Sequence, residues 1–250
     1  MAKSPKRATA RAKAPAKGSS KRPFAIDFHT HVHVPKVQEL LAKVPPAKAD
    51  GTYFGAGDRA GGGSGPLEAG TKLSTRLRAM DKAGVDMQVV SVNGSSPFYW
   101  SDVATGAKIS RAANEGAAEY CAANPDRFVG LGMVPLQSPA RAVKELEYAM
   151  TKLGLKGVNA LSNVRGQDLG EEKFWPFWKR AEELGAAVLI HPIGFTHPQR
   201  MKKFRLYNTV GQPLEETLCM LSLIHEGVME KFPKLKIVMA HGRRLSAVLC

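Results

Sequence analysis

"KIVMAH", residues 236–241, is an apolar run that ends on a histidine. Ile237 to Ala240 read as a buried strand that delivers His241 and Gly242 at its carboxyl end. The same arrangement recurs at "AAVLIH" (186–191), which delivers His191. Four further apolar runs precede these two: "FAIDF" (24–28), "DMQVVSV" (86–92), "RFVGLGMV" (127–134) and "LKGVNALS" (155–162). Near-continuous apolar character is expected of parallel strands covered on both faces.

Helical patterns fill the gaps. "STRLRAMDKAG" (74–84) sets Leu77, Met80 and Ala83 on one face and stops at Gly84. Residues 105–123 are Ala-rich and end before Asn124-Pro125. "SPARAVKELEYAMTKLG" (138–154) opens with Ser138 as N-cap and Pro139 at the first helical position. Residues 170–185 and 213–232 complete the set. Alternating strands and helices predict an α/β barrel or a doubly wound sheet, with the functional face at the carboxyl ends of the strands. A dinucleotide fingerprint is missing, because "GGGSG" (61–65) follows no strand and opens no helix. Residues 35–70, rich in Gly, Pro and Ala, read as an insertion after the first strand, either a lid or a surface loop.

The 250 residues are 44% hydrophobic, enough for one sizeable core. Net charge is +14, and eight of those charges fall in residues 1–23, which hold Lys3, Lys6, Arg7, Arg11, Lys13, Lys17, Lys21 and Arg22 and no acid. This stretch cannot bury apolar surface and reads as a disordered basic tail, with residues 24–250 forming the folded domain. No aromatic residue precedes Phe24, which argues against a base-stacking role. An apolar core of a secretory signal is absent, whereas the Arg/Lys/Ala/Ser bias is shared with organellar transit peptides. No stretch approaches the ~20 apolar residues of a membrane span. Cys121, Cys219 and Cys250 are odd in number and far apart, which fits a reducing compartment and a cytoplasmic location. No specific nucleic-acid or membrane partner is expected.

The chemistry concentrates at strand ends. In "DFHTHVH" (27–33), His29 and His31 are two apart on a strand and point to one side. With His191 and His241, three strands each bring histidine to the same end of the sheet. Imidazoles so grouped suit a divalent metal. His33 shares their parity but lies further into the loop, behind the site or exposed. Phe98 and Trp100, which flank Tyr99 after the second strand, either wall a site for a flat substrate or pack under the insertion. Arg165, after the fourth strand, either grips a carboxylate or is an ordinary loop arginine.

"IDFHTHVHVP", "RFVGLGMVPLQSPARAVKELE", "LIHP" and "EKFPKLKIVMAHG" together resemble the metal-dependent amidohydrolase superfamily. Within it, they resemble the branch containing aminocarboxymuconate-semialdehyde decarboxylase and the resorcylate decarboxylases. The resemblance runs from about Phe24 to Gly242. It implies a (β/α)8 TIM-type barrel, here incomplete with about six of the eight units. It implies one divalent metal, zinc in the first place and manganese as the alternative. It implies His29, His31 and His191 as metal ligands and His241 as general acid/base. The substrate implied is a small unsaturated or aromatic carboxylic acid, and a homodimer is common in that branch. A hydrolase or hydratase on the same scaffold is the neighbouring alternative.

Departures bear on the substrate. Where the branch has tryptophans after the fifth strand, Arg205 and Asn208 stand in "RMKKFRLYNTVGQP" (200–213); the substrate-gripping arginine early in the semialdehyde decarboxylase has no clear match, and Arg59 is no more than a candidate for it. The family also carries an aspartate ligand on an eighth strand, and none is read here. After His241-Gly242 the family pattern is Gly-rich, while this chain has "RRLSAVLC" (243–250). Degenerate codons for this stretch regain a Gly-Gly-Gly-Phe-Leu-Pro pattern on loss of one base. The expectation is therefore a frameshift at codon 242, a domain truncated at its C-terminus, and an inactive remnant as the alternative to an enzyme.

Overall fold

The computed structural model describes residues 22–44, 72–92, 98–193, 204 and 206–241. The tail up to residue 21, most of the 35–70 stretch including Arg59 and Gly61–Gly65, His197, Arg205 and residues 242–250 lie outside the described residues.

Six parallel strands form one sheet: β1 (Ile26–Val32), β2 (Met87–Val92), β3 (Phe128–Met133), β4 (Gly157–Ala160), β7 (Ala187–Ile190) and β8 (Lys236–Met239). A two-residue antiparallel ribbon, β5 (Asn163–Val164) with β6 (Gln167–Asp168), follows β4. Strand order in the sheet is chain order, β1-β2-β3-β4-β7-β8. Five strand spacings of about 4.8 Å would put β1 and β8 about 24 Å apart in a flat sheet. Instead the rings of His29 and His241, at these two edges, have centroids 4.9 Å apart. The sheet is therefore curled into an open barrel, with six strands among the described residues, the first five of them each followed by helix.

Helices cover the outside: α1 (Pro35–Leu41), α2 (Leu73–Ala83), α3 (Val103–Ala122), α4 (Pro139–Thr151), α5 (Trp175–Leu184), α6 (Gln212–His225) and α7 (Val228–Lys231). α2 stops where expected, because Gly84 adopts φ +69, which a side chain would oppose. Asp102 caps α3 by accepting the N–H groups of Ala104 at 2.9 Å and Thr105 at 3.0 Å. Trp178 of α5 is fully buried and donates its indole N–H to Leu169 O at 2.8 Å. The outer core joins helices to sheet through residues such as Val90, Ile109, Leu146 and Phe177. A small inner core of Val89, Leu131 and Leu189 fills the concave face beneath the histidines.

Four local expectations are corrected. Ser138 precedes α4 but its side chain makes no capping bond, and Pro139 alone marks the start. The helix expected over 213–232 is two helices, because Gly227 turns left-handed (φ +81) between α6 and α7. The stretch from residue 35 opens with an ordered helix: Val37 of α1 is buried, in one cluster with Ile109 and Ala113 of α3. Arg22, counted with the basic tail, forms a two-pronged bond to Asp86 at 2.6 and 2.7 Å.

Candidate metal centre

Four histidines meet at the carboxyl ends of the strands. β1 carries His29 and His31, whose ring centroids are 5.1 Å apart. The β1–β2 register slips between Asp27 and Thr30, so His29 sits in an irregularity of the ladder. His191 follows β7 and is held by its backbone N–H to Ala160 O at 2.9 Å. His241 follows β8 through Ala240, whose N–H reaches Ile190 O at 3.1 Å. The ring of His191 lies 5.0 Å from His29, 5.2 Å from His31 and 4.8 Å from His241. One donor nitrogen from each of His29, His191 and His241 lies within 4.8 Å of the other two. The set expected from the sequence, with His31 as third ligand and His241 beside it, is thus brought together as four. His31 stands slightly apart from the tightest three.

Partners orient two of these rings. His31 Nδ1 lies 2.9 Å from Ser91 Oγ on β2. His241 Nδ1 lies 2.8 Å from Glu216 Oε1 on α6, and both Glu216 oxygens accept the His241 backbone N–H. Burial is the first cause that lowers the pKa of His29, His31 and His191. In His31 it acts with the charges of His29 and Arg76 and brings the value to about 4. In His29 the neighbour that adds to it is His241, and His191 is driven well below its ordinary value. Neutral imidazoles keep a lone pair, which a cation requires.

The residues fit a divalent cation. His191 Nδ1 is buried with no hydrogen-bond partner among the described residues. Nitrogen donors from three strands suit a divalent transition metal. Glu216 is 1% exposed, and its only ion-pair partner among the described residues is His241, so a cation in the cluster would balance a buried carboxylate.

Residues expected to touch substrate are found in different states. Phe98 is buried in the outer core, and its ring meets Trp100 edge-on at 4.8 Å; Trp100 is half-buried. Arg165 sits at the tip of the β5–β6 ribbon with φ +56, and its guanidinium donates to Trp100 O at 3.0 Å. These three are therefore joined through Trp100, with Phe98 packed beneath it in the outer core. Sequence reasoning missed Ser91, Glu216 and Asn159. Asn159 on β4 is fully buried, with both amide atoms unpartnered among the described residues. Its signal was a lone amide inside an apolar strand, "GVNA".

Comparison with known proteins agrees with this geometry. A family model described as Amidohydrolase matches residues 26–247. The chain is 35% identical over 167 residues to 2-amino-3-carboxymuconate-6-semialdehyde decarboxylase of Dictyostelium discoideum, covering 67% of this chain and 46% of that protein. The fold matches 5-carboxyvanillate decarboxylase from Sphingomonas paucimobilis with a TM-score of 0.76 and 27% identity, over 86% of this chain and 67% of that one. It matches 5-carboxyvanillate decarboxylase of Novosphingobium aromaticivorans, complexed with manganese and 4-hydroxy-3-methoxy-5-nitrobenzoic acid, with a TM-score of 0.78 and 25% identity, over 93% and 69%. The chain spans about half the length of the curated relatives it matches. No helix among the described residues is long and apolar enough to cross a membrane. With its six-stranded curled sheet, its histidines at the strand ends and a family match over most of its length, the chain belongs to the amidohydrolase family.

Proposed function

We propose that this chain carries the site of a metal-dependent decarboxylase acting on a small aromatic or unsaturated carboxylic acid. The observation that carries the reading is the convergence of His29, His31, His191 and His241 from three strands onto one end of the sheet. The names of its relatives, decarboxylases of aromatic or muconate acids, support the substrate class.

His29, His31 and His191 would hold a divalent cation, zinc by the sequence expectation or manganese as in the Novosphingobium relative. When bound, the cation anchors substrate oxygens and stabilises negative charge as a Lewis acid. His241 is left to move the proton. With Nδ1 on Glu216, it gives a proton at Nε2 and takes its replacement from solvent. The proton goes to the carbon that bears the carboxylate. The carbon–carbon bond then breaks, its electron pair returns to the substrate, and CO2 leaves. Trp100, backed by the buried Phe98, would offer a ring to a flat substrate, and Arg165 a guanidinium to an acid group.

The test is CO2 release from a panel of hydroxybenzoates, carboxyvanillate and aminocarboxymuconate semialdehyde, with zinc or manganese supplied. Release that needs the cation and falls at least 100-fold in His241→Asn supports the proposal. Water addition or bond hydrolysis without CO2 would move the site to hydrolase or hydratase chemistry.

A further inference from the structure

Glu216 lies in α6, 25 residues before His241, and all of its side-chain hydrogen bonds among the described residues go to His241. Its two oxygens take the His241 backbone N–H at 3.0 and 2.9 Å, and Oε1 also meets Nδ1 at 2.8 Å. The neighbouring Glu215, also buried, turns the other way, toward Ser162 and Asn163 at 3.3 Å. One acidic pair on one helix thus serves two places.

An ionised carboxylate has acceptors only, so the nitrogen facing it must carry hydrogen. We infer that Glu216 is a positioning residue, which locks His241 in the Nδ1–H tautomer and turns Nε2 toward His29 and His191. This rests on the reading of His241 as a working group of the site. The double contact matters. By gripping backbone and ring together, Glu216 fixes both where the residue sits at the end of β8 and how its ring is turned. A histidine held by one bond alone could exchange tautomers and lose the lone pair or proton at Nε2. A purely structural carboxylate would need only the backbone N–H.

The experiment is a long-range 1H–15N spectrum of the metal-free chain labelled at histidine nitrogen, recorded above neutral pH. His241→Gln assigns the signal by its loss. The expected wild-type result is a single His241 tautomer with hydrogen on Nδ1. In Glu216→Ala and Glu216→Leu, which offer no side-chain oxygen, the Nδ1–H form is expected to give way to a mixture, whereas Glu216→Gln can set its amide oxygen where Oε1 stood and is expected to keep it. Hydrogen on Nε2 in the wild type overturns the inference, and so does an unchanged Nδ1–H signal in the alanine or leucine variant. If the alanine variant does not fold, the bulkier leucine variant decides. The readout needs neither turnover nor metal, so a failed substrate panel leaves it decisive.

Discussion

His29 leaves one edge strand of the sheet and His241 leaves the other, and their rings stand 4.9 Å apart. A cation held by His29, His31 and His191 would tie β1 to the end of β7, beside that closing pair, and act as a clasp on the curl. Binding to the folded chain alone stabilises it by about 2.7 kcal/mol at a hundredfold excess over Kd. Thermal unfolding with and without zinc or manganese should show a clear upward shift in Tm. His29→Ala should abolish that shift, and a variant that still responds fully would place the ion elsewhere.

His31 and His241 compete for the same description. Each has its Nδ1 engaged, by Ser91 and Glu216 respectively, and each keeps one nitrogen for the cluster. If His31 is a ligand and His241 the proton carrier, His31→Ala should lose bound metal while His241→Ala keeps nearly one ion per chain. Metal analysis after gel filtration reads this directly. The reverse pattern would make the tight trio of His29, His191 and His241 the ligand set.

Asp86 supplies a pH dependence remote from the site. The hydrogen bonds from the Arg22 side chain and then the Ala25 N–H hold its carboxyl at about 2, below the usual 3.8. A depressed carboxylate contributes stability above its unfolded value and loses it as pH falls through the folded one. The contribution should thus be present at pH 5 and fade between about 4 and about 2. Urea midpoints of the wild type and Asp86→Asn should converge across that window, and added salt should narrow the gap at pH 5 because the pair faces solvent. Parallel curves would mean the bond does not link the start of β1 to β2.

Gly157 opens β4 at φ +157, and a Cβ there would run into the backbone of Ala187 on β7. The collision is with main chain, which cannot swing away. Gly157→Ala should cost about 1–3 kcal/mol by overpacking. It should also disturb His191, because His191 hangs from Ala160 on the same ladder. Chemical denaturation tests the first part and metal content the second. A variant as stable as the wild type would show that the ladder yields locally.

Much of this architecture was legible because buried parallel strands have few ways to be written. "VVSV", "FVGLGM" and "AVLI" announce themselves by unbroken apolar character, and Gly84 and Pro139 mark helix ends. The histidines were legible because strand ends are where such sheets do chemistry. What the sequence hid was pairing. Glu216 looks like a surface charge in "PLEETL", and only the packing of α6 turns it inward. Ser91 looks like a polar interruption of β2 until His31 meets it in register. Asn114 likewise sits unmarked in an Ala-rich helix. Yet its amide binds both the N–H and the C=O of Met133 and also reaches Glu145, which Arg111 grips. Contacts of this kind depend on which helix face meets which strand, and periodicity alone does not fix that.

Because each strand lies beside the one made just before it, the sheet can grow in the direction of synthesis, one neighbour at a time. Packing on the ribosome needs no long wait for a distant partner. The histidine cluster keeps different time. His29 and His31 emerge with the first strand, and His241 joins them only when β8 closes the arc. The assembled cluster is therefore a property of the sheet through β8, never of a growing one.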